Sequence, residues 1–280
     1  MKWIALAAAV LVMPAPARAQ TAEGQPLSAQ LWTVRTAGNL DQQFGVVEKA
    51  GYRYVEMYRF YGMPEVPQAE LKALLDKHHL QISGYHVAVS ELVDNLKHTI
   101  EYNKAFGNTR LIVPAFPAPL VPKDRAGWQA LGRVMENVAL TAKADGMKVG
   151  FHNHIDEMKV FDGKTGLEWF AEAAPDVIIT VDCAWAYQGG QDPAALIRRL
   201  KGHVWNIHVK DDAPLGTQPA RGLATVGKGV LKWDEILKAA HDSGVEWYTV
   251  ENDEPRPDPL TSLTESREYI SPRLAKEIGK

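Results

Sequence analysis

VWNIHVKD, residues 204–211, is an apolar run that closes on a histidine, a lysine and an aspartate. Side chains alternate along a strand, so His208 and Lys210 share one face while Val209 takes the other. The same grammar, an apolar run with a polar end, occurs in MKVGFHNH (147–154), VIITVD (177–182) and WYTVE (247–251). These runs lie about one strand and one helix apart. In parallel α/β proteins the ligand site lies at the carboxyl ends of the strands. His152, Asp182, His208 and Glu251 therefore stand where four strands would meet one site.

Working outward, apolar and β-branched content predicts strands over 27–34, 54–58, 81–87, 110–114, 148–152, 177–182, 204–210 and 247–251. Helical spacing predicts helices over 40–50, 69–79, 92–106, 128–145, 166–174, 193–201, 233–243 and 260–277. Four helices give way to a strand through a glycine, at Gly51, Gly107, Gly146 and Gly244, where a left-handed cap would turn the chain. Alternation of this kind leaves a closed barrel or an open doubly wound sheet. Eight strands favour an α/β fold of the (β/α)8 TIM-barrel class, one domain spanning 27–280. The turn TVRTAGNL (33–40) after the first strand also lacks the GxGxxG fingerprint of a dinucleotide-binding sheet. Two long loops, AFPAPLVPKDR (115–125) and DDAPLGTQPARGLATVGKGVL (211–231), follow strands and are expected to act as lids over the same face.

Residues 1–19, MKWIALAAAVLVMPAPARA, combine Lys2, an apolar core and an Ala17-Arg18-Ala19 end, as a secretory signal peptide does. Its apolar core falls short of the roughly 20 residues of a membrane span. Cleavage would leave 261 of the 280 residues, with 20–26 as a disordered new N-terminus and the periplasm as destination. It would also remove Lys2 and Arg18, leaving 29 basic against 34 acidic side chains. That balance offers no patch for nucleic acid or for a membrane surface. Cys183 is the only cysteine, so no internal disulfide assists an exported fold, and the residue reads as a small buried hydrophobe. Oligomeric state is left open.

Two imidazoles and two carboxylates form a mixed nitrogen and oxygen donor set. It suits Mn²⁺ first and Zn²⁺ second, with Co²⁺, Fe²⁺ or Mg²⁺ as further candidates, and suits Ca²⁺ poorly. Each ligand has a plainer reading: Asp182 as the cap of a following helix, Glu251 as an ion-pair partner of Lys210 or Arg221, and either histidine as a hydrogen-bonded rim residue. Glu157 is an alternative to His152. Glu56 (YVEMY) and His86 (SGYHV) end the second and third strands and could contact a sugar hydroxyl or move a proton; a salt bridge to Arg53 or Arg59 is the alternative for Glu56. Lys210 could polarise a carbonyl. By strand parity His154 faces the site with His152 while Asn153 looks away. Trp32, Trp185, Tyr58 and Phe116 would supply flat apolar walls for a sugar ring. A nuclease reading of His152-Asn153-His154 lacks the basic surface it would need.

Taken together, GYRYVEM, GFHNHIDEM, TVDCAWAYQGG, NIHVKD and VEND resemble the corresponding strands of the xylose-isomerase-like barrel superfamily of sugar phosphate isomerases and epimerases. The resemblance runs from about residue 27 to the C-terminus. It implies one divalent metal held by an acid on the fifth strand, an Asp on the sixth, a His on the seventh and a Glu on the eighth, hence Asp182, His208 and Glu251. His152 stands where many members carry Glu, in a subgroup with a YHNH-like motif; some relatives of that kind act on 3-keto sugars or glycosides. The function expected is an exported metal-dependent isomerase or epimerase that works through an ene-diolate on a small, unphosphorylated carbohydrate. Glu251 and His152 would be its bases, and Lys210 and His86 would stabilise charge. The alternatives are a lyase or hydratase that loses a β-substituent from the same ene-diolate, and a periplasmic carbohydrate-binding barrel without turnover.

Overall fold

The computed structural model describes residues 25–214 and 222–279. The expected leader at 1–19, most of the segment 20–26, part of the second long loop and Arg221 lie outside the described residues. Eight parallel strands close a barrel: Leu27–Gln30 (β1), Tyr54–Arg59 (β2), Gln81–Val87 (β3), Arg110–Val113 (β4), Lys148–His152 (β5), Ile178–Asp182 (β6), Val204–Val209 (β7) and Trp247–Val250 (β8). β8 pairs with both β7 and β1, and each remaining strand pairs with its neighbours in sequence. The predicted barrel and all eight strands are therefore present.

Ten helices wrap the strands among the described residues: Leu40–Lys49 (α1), Gln68–Lys77 (α2), Val89–Val93 (α3), Leu96–Lys104 (α4), Arg125–Lys143 (α5), Gly166–Ala173 (α6), Cys183–Gln188 (α7), Pro193–Arg199 (α8), Trp233–Asp242 (α9) and Pro259–Ile278 (α10). Gly51, Gly107, Gly146 and Gly244 adopt φ between 71° and 86°, the left-handed turn expected where a helix yields to a strand. Several helices start on a side-chain cap. Asn39 and Gln42 form a capping box at α1, Thr165 and Glu168 another at α6, and Asp124 and Asp258 cap α5 and α10.

Three departures from expectation have local causes. The single helix foreseen over 92–106 is two, because the chain leaves helical geometry at Asn95, whose φ is −132°. β1 stops at Gln30, and Leu31–Val34 form a 3-10 turn whose Trp32 N–H is held by the Gln30 side chain. Cys183, the first residue of α7, is fully buried as expected. Gln25 and Pro26 are packed, with Gln25 Nε2 donating to the Ser271 carbonyl at 2.7 Å and Tyr248 N–H donating to the Pro26 carbonyl.

The barrel interior is filled from below. Tyr54, Ile112, Trp205 and Trp247 form an apolar plug. Trp205 joins it because β7 carries one extra residue opposite the β6 pair Ile179 and Thr180, and its Nε1 donates to Thr180 Oγ1 at 3.1 Å. Gly84 on β3 leaves the room these groups occupy: a Cβ there would lie 3.3 Å from the Trp205 ring and 3.5 Å from the Glu56 carboxylate. Above the plug the interior turns polar, and the strand ends open onto a cavity.

Candidate metal centre and substrate cavity

β5, β6 and β7 and the end of β8 bring His152, Asp182, His208 and Glu251 together, with one donor atom of each within 4.8 Å of the others. All four are buried, between 0% and 5% exposed. Asp182 divides its oxygens. Oδ1 caps α7 by accepting from Trp185 N–H at 2.9 Å, and Oδ2 faces the cluster. Asn153 sits behind it, its Oδ1 accepting from Asp182 N–H at 2.9 Å.

The tautomer of His152 follows from its partner. Its Nδ1 lies 3.2 Å from the Pro114 carbonyl, which can only accept, so Nδ1 carries the proton. Burial, with the charge of His208 nearby, lowers the His152 pKa to about 4, so the ring is neutral and Nε2 is bare. That bare nitrogen faces Asp182 Oδ2 at 3.3 Å. Two acceptors at that separation repel unless a cation lies against both. His208 is charged instead: its Nε2 approaches Glu56 Oε1 at 2.8 Å and its Nδ1 lies 2.7 Å from Glu251 Oε2, and against burial these carboxylates raise its pKa well above the ordinary imidazole value, so Nδ1 must release its proton to become a ligand. A histidine bonded through one ring nitrogen with the other free toward a carboxylate cluster is the usual state of a metal ligand. The residues fit a divalent ion.

Lys210 supplies the cation in the present arrangement. Its Nζ lies 2.9 Å from both Asp182 Oδ2 and Glu251 Oε2 and 3.3 Å from Asp253 Oδ1, and the side chain is 1% exposed. Burial opposes the charges of Asp182 and Glu251, but the Lys210 ammonium outweighs it and holds both carboxyls well below their ordinary range. Asp253 behaves differently. Burial pushes its pKa up to about 6 despite Lys210, with Glu251 and Asp182 adding to the rise.

Beneath this layer Glu56 is fully buried, and four donors converge on it: Gln30 Nε2 (2.8 Å), Asn206 Nδ2 (2.9 Å), His208 Nε2 (2.8 Å) and His86 Nε2 (2.6 Å). Burial alone would raise its carboxyl; the imidazoles of His86 and His208 hold it below the ordinary range instead. Glu56→Gln places an NH₂ against at least one of those donors and loosens His208. Mn²⁺ affinity, read by calorimetric titration, is expected to fall about 10–100-fold, as for lost outer-shell partners elsewhere. Unchanged affinity would mean that Glu56 does not set the position of His208.

A cavity of about 670 Å³ opens above the cluster. Of the expected site residues, Trp32, His86, Phe116, His152, His154, Lys210 and Glu251 line it. Four are placed elsewhere, among them Tyr58, which packs against the Trp32 and Phe60 rings. Glu56 lies beneath the cavity with its oxygens taken, so it has no open surface for a sugar. Trp185 packs behind the wall, 5.7 Å from the His154 ring and 5.2 Å from Lys210 Nζ. Glu157 turns back to accept the His154 backbone N–H at 2.8 Å and is outside the cluster that holds His152. The loop after β4 overhangs the cavity through Pro114 to Pro117. The described part of the loop after β7 does not: Asp211 pins it down by accepting from the N–H groups of Gly227, Gly229 and Leu231 and from Trp233 Nε1. Sequence reasoning passed over Gln30, Phe60, Tyr61, Asn206 and Asp253. Asp253 was within reach, since it follows Glu251 by two residues in VEND.

Burial, then His152 and Lys210, lower the His154 pKa to about 3, so two neighbouring imidazoles stay neutral in the folded chain. The unfolded chain takes up those protons below about pH 6.5. Stability is therefore whole above that pH and is lost as pH falls toward 4, by up to about 1.4 kcal/mol per unit for each ring. Urea melts of metal-free protein at pH 7 and pH 5 should show this loss, and His154→Gln should lessen it. An equal loss in the variant would contradict the assignment.

No curated protein matches this chain. Solved structures do. A sugar phosphate isomerase/epimerase from Parabacteroides distasonis is similar over 95% of this chain and 100% of its own, with a TM-score of 0.70 at 19% identity. The IOLI protein with a binding zinc atom covers 90% of this chain and 99% of its own, at a TM-score of 0.72 and 15% identity. An L-ribulose 3-epimerase covers 90% and 95%, at 0.65 and 14%. At these identities the likeness is one of fold. A family model described as xylose isomerase-like TIM barrel matches residues 44–272. By fold and by that match the chain belongs to the xylose isomerase-like TIM barrel family.

Proposed function

We propose that this protein is an exported, divalent-metal-dependent isomerase or epimerase of a small, unphosphorylated carbohydrate. The observation that carries the reading is the convergence of four buried donor atoms, His152 Nε2, His208 Nδ1, Asp182 Oδ2 and Glu251 Oε2, at the floor of a cavity. Mn²⁺ suits these donors best. A divalent ion held there supplies Lewis-acid charge to a substrate carbonyl and its neighbouring hydroxyl.

The chain's own residues do the rest. Glu251 is ionised, lines the cavity and accepts the carbon-bound proton, so that the substrate becomes an ene-diolate. His152, neutral and on the neighbouring wall, is a second acceptor. Lys210 stabilises negative charge as it develops on oxygen. His86, anchored by Glu56, lines the opposite side. Return of the proton to the same or a neighbouring carbon gives the isomer or epimer.

Two observations support an unphosphorylated substrate. Residues 1–19 have the composition of an export signal. Among the described lining residues the one cationic side chain, Lys210, already faces three carboxylates, so a phosphate dianion would meet net negative charge. The test is product analysis by NMR after incubating Mn²⁺-loaded protein with ketoses, aldoses and 3-keto glycosides. A changed carbon configuration or aldose–ketose exchange is expected. Release of the aglycone with an unsaturated ketone would move the assignment to the lyase reading, and no turnover with Mn²⁺, Zn²⁺ or Co²⁺ would favour the binding-protein reading.

A further inference from the structure

Side chains alternate along β3, so Tyr85 packs outward against Tyr102 of α4 while Gly84 and His86 face the barrel interior. His86 is 4% exposed, and the side it leaves open lines the cavity. Its Nε2 lies 2.6 Å from Glu56 Oε1, the same oxygen that His208 Nε2 reaches at 2.8 Å. One carboxylate oxygen thus ties the two rings, which stack with centroids 5.6 Å apart and planes 13° from parallel. The His152 ring stands 5.6 Å from His86 and 4.5 Å from His208. His86 is therefore fixed beside the metal donors without being one of the four.

A neutral imidazole has one donor and one acceptor nitrogen. The Glu56 carboxylate only accepts, so it takes the N–H at Nε2, and the lone pair is left on Nδ1. Among the described residues nothing donates to that Nδ1. The Nδ1 of His208 is sealed from solvent, whereas that of His86 keeps surface open to the cavity. The carboxylates nearby, of Asp182, Glu251 and Asp253, already surround Lys210. His86 Nδ1 is an uncharged acceptor with no such claim on it, in a cavity whose apolar wall of Trp32, Phe60, Tyr61 and Phe116 offers it no donor. A ligand that covers such an atom without donating to it loses affinity.

We propose that His86 is a specificity-determining residue: its Nδ1 accepts a hydrogen bond from the substrate hydroxyl on the carbon next to the chelated pair of oxygens, and a free hydroxyl is required there. The inference rests on the carbohydrate reading above and adds to it one obligatory hydroxyl and the side chain that reads it. Reach decides which hydroxyl that is. The His86 ring is little farther from His152 and His208 than those rings are from each other, so it meets the oxygen one carbon beyond the pair held at the donors. Glu56 decides the direction of the bond. A ring that gives its Nε2 proton to the carboxylate accepts at Nδ1 and does not donate there, so an ether oxygen, a fluorine or a bare methylene at that carbon leaves Nδ1 unpaired.

The test uses sugar alcohols, which carry no carbonyl and so bind without reacting. Full-length protein at saturating Mn²⁺, with occupancy checked by metal analysis, is titrated calorimetrically with xylitol, arabinitol, sorbitol, mannitol and galactitol. The tightest binder is then compared with its monodeoxy and deoxyfluoro derivatives. Loss of the hydroxyl that Nδ1 reads is expected to weaken binding about tenfold. Fluorine at the same carbon accepts but cannot donate, and is expected to restore nothing. In His86→Phe the penalty at that one carbon should shrink toward none while the penalties at the other carbons stay. His86→Gln can still donate to Glu56 and accept from a hydroxyl, so it should fold if the phenylalanine variant does not, and should keep only part of the penalty. Deoxygenation penalties that are the same in either variant as in the unaltered protein, or a fluorine that restores affinity at the carbon His86 reads, would overturn the assignment. If neither sugar alcohols nor free sugars bind, the carbohydrate reading fails and this inference with it. If they bind with penalties indifferent to His86, the carbohydrate reading stands and the role of His86 alone fails.

Discussion

Glu251→Gln is expected to slow substrate proton exchange by a factor of about 10² to 10⁴, the usual worth of a positioned general base. Glu251 ends β8 with its Oε2 in the metal-donor cluster and its side chain on the cavity wall. Lys210 and His208 keep it ionised against the cost of burial. A glutamine keeps the shape and an oxygen but accepts no proton. Because the substitution also weakens a metal ligand, the rate is read at saturating Mn²⁺, with occupancy confirmed by metal analysis. A loss that extra metal fully restores would make Glu251 a ligand alone and move the base to His152.

The second large effect is expected at Lys210. Its ammonium is buried among Asp182, Glu251 and Asp253, and breaking a buried ion pair by removing one partner typically costs about 3–5 kcal/mol. In a domain of this size that is a fall in Tm of roughly 10 °C for the metal-free Lys210→Met variant. A divalent ion bound as proposed would compete with the ammonium for the same two oxygens, Asp182 Oδ2 and Glu251 Oε2. Without the ammonium the ion has those oxygens to itself, so Mn²⁺ should raise the Tm of the variant more than it raises that of the unaltered protein. Equal shifts on adding metal would show that Lys210 and the ion do not share a position.

The barrel was legible because the strands are short apolar runs, several of them closed by a polar residue, and four helix exits carry a glycine turn. The clustering of His152, Asp182, His208 and Glu251 was legible for the same reason: four polar strand ends at matching phase. The glutamate layer beneath was not. Glu56 obeys the same strand-end rule as the ligands, but the residues that consume its oxygens, Gln30, Asn206, His86 and His208, lie 26 to 152 positions away along the chain. Strand phase places a side chain inside the barrel without saying at what depth. The described part of the loop after β7 departs from the expected lid because Asp211, one residue beyond the apolar run, spends its carboxylate on four donors of its own loop and of α9. The apolar wall was half legible: Trp32 and Phe116 stood out as aromatics beside strand ends, while Phe60 and Tyr61 lie just past β2 in a stretch without periodicity.

The most direct test of the account is solvent deuterium exchange. Mn²⁺-loaded protein is incubated in D₂O with free ketoses and 3-keto glycosides, and mass spectrometry and NMR locate any deuterium. Deuterium is expected at a carbon beside the carbonyl, lost when the metal is removed by chelation and regained when Mn²⁺ is returned. Absence of deuterium from every substrate with Mn²⁺, Zn²⁺ and Co²⁺, or exchange that persists undiminished without metal, would contradict it.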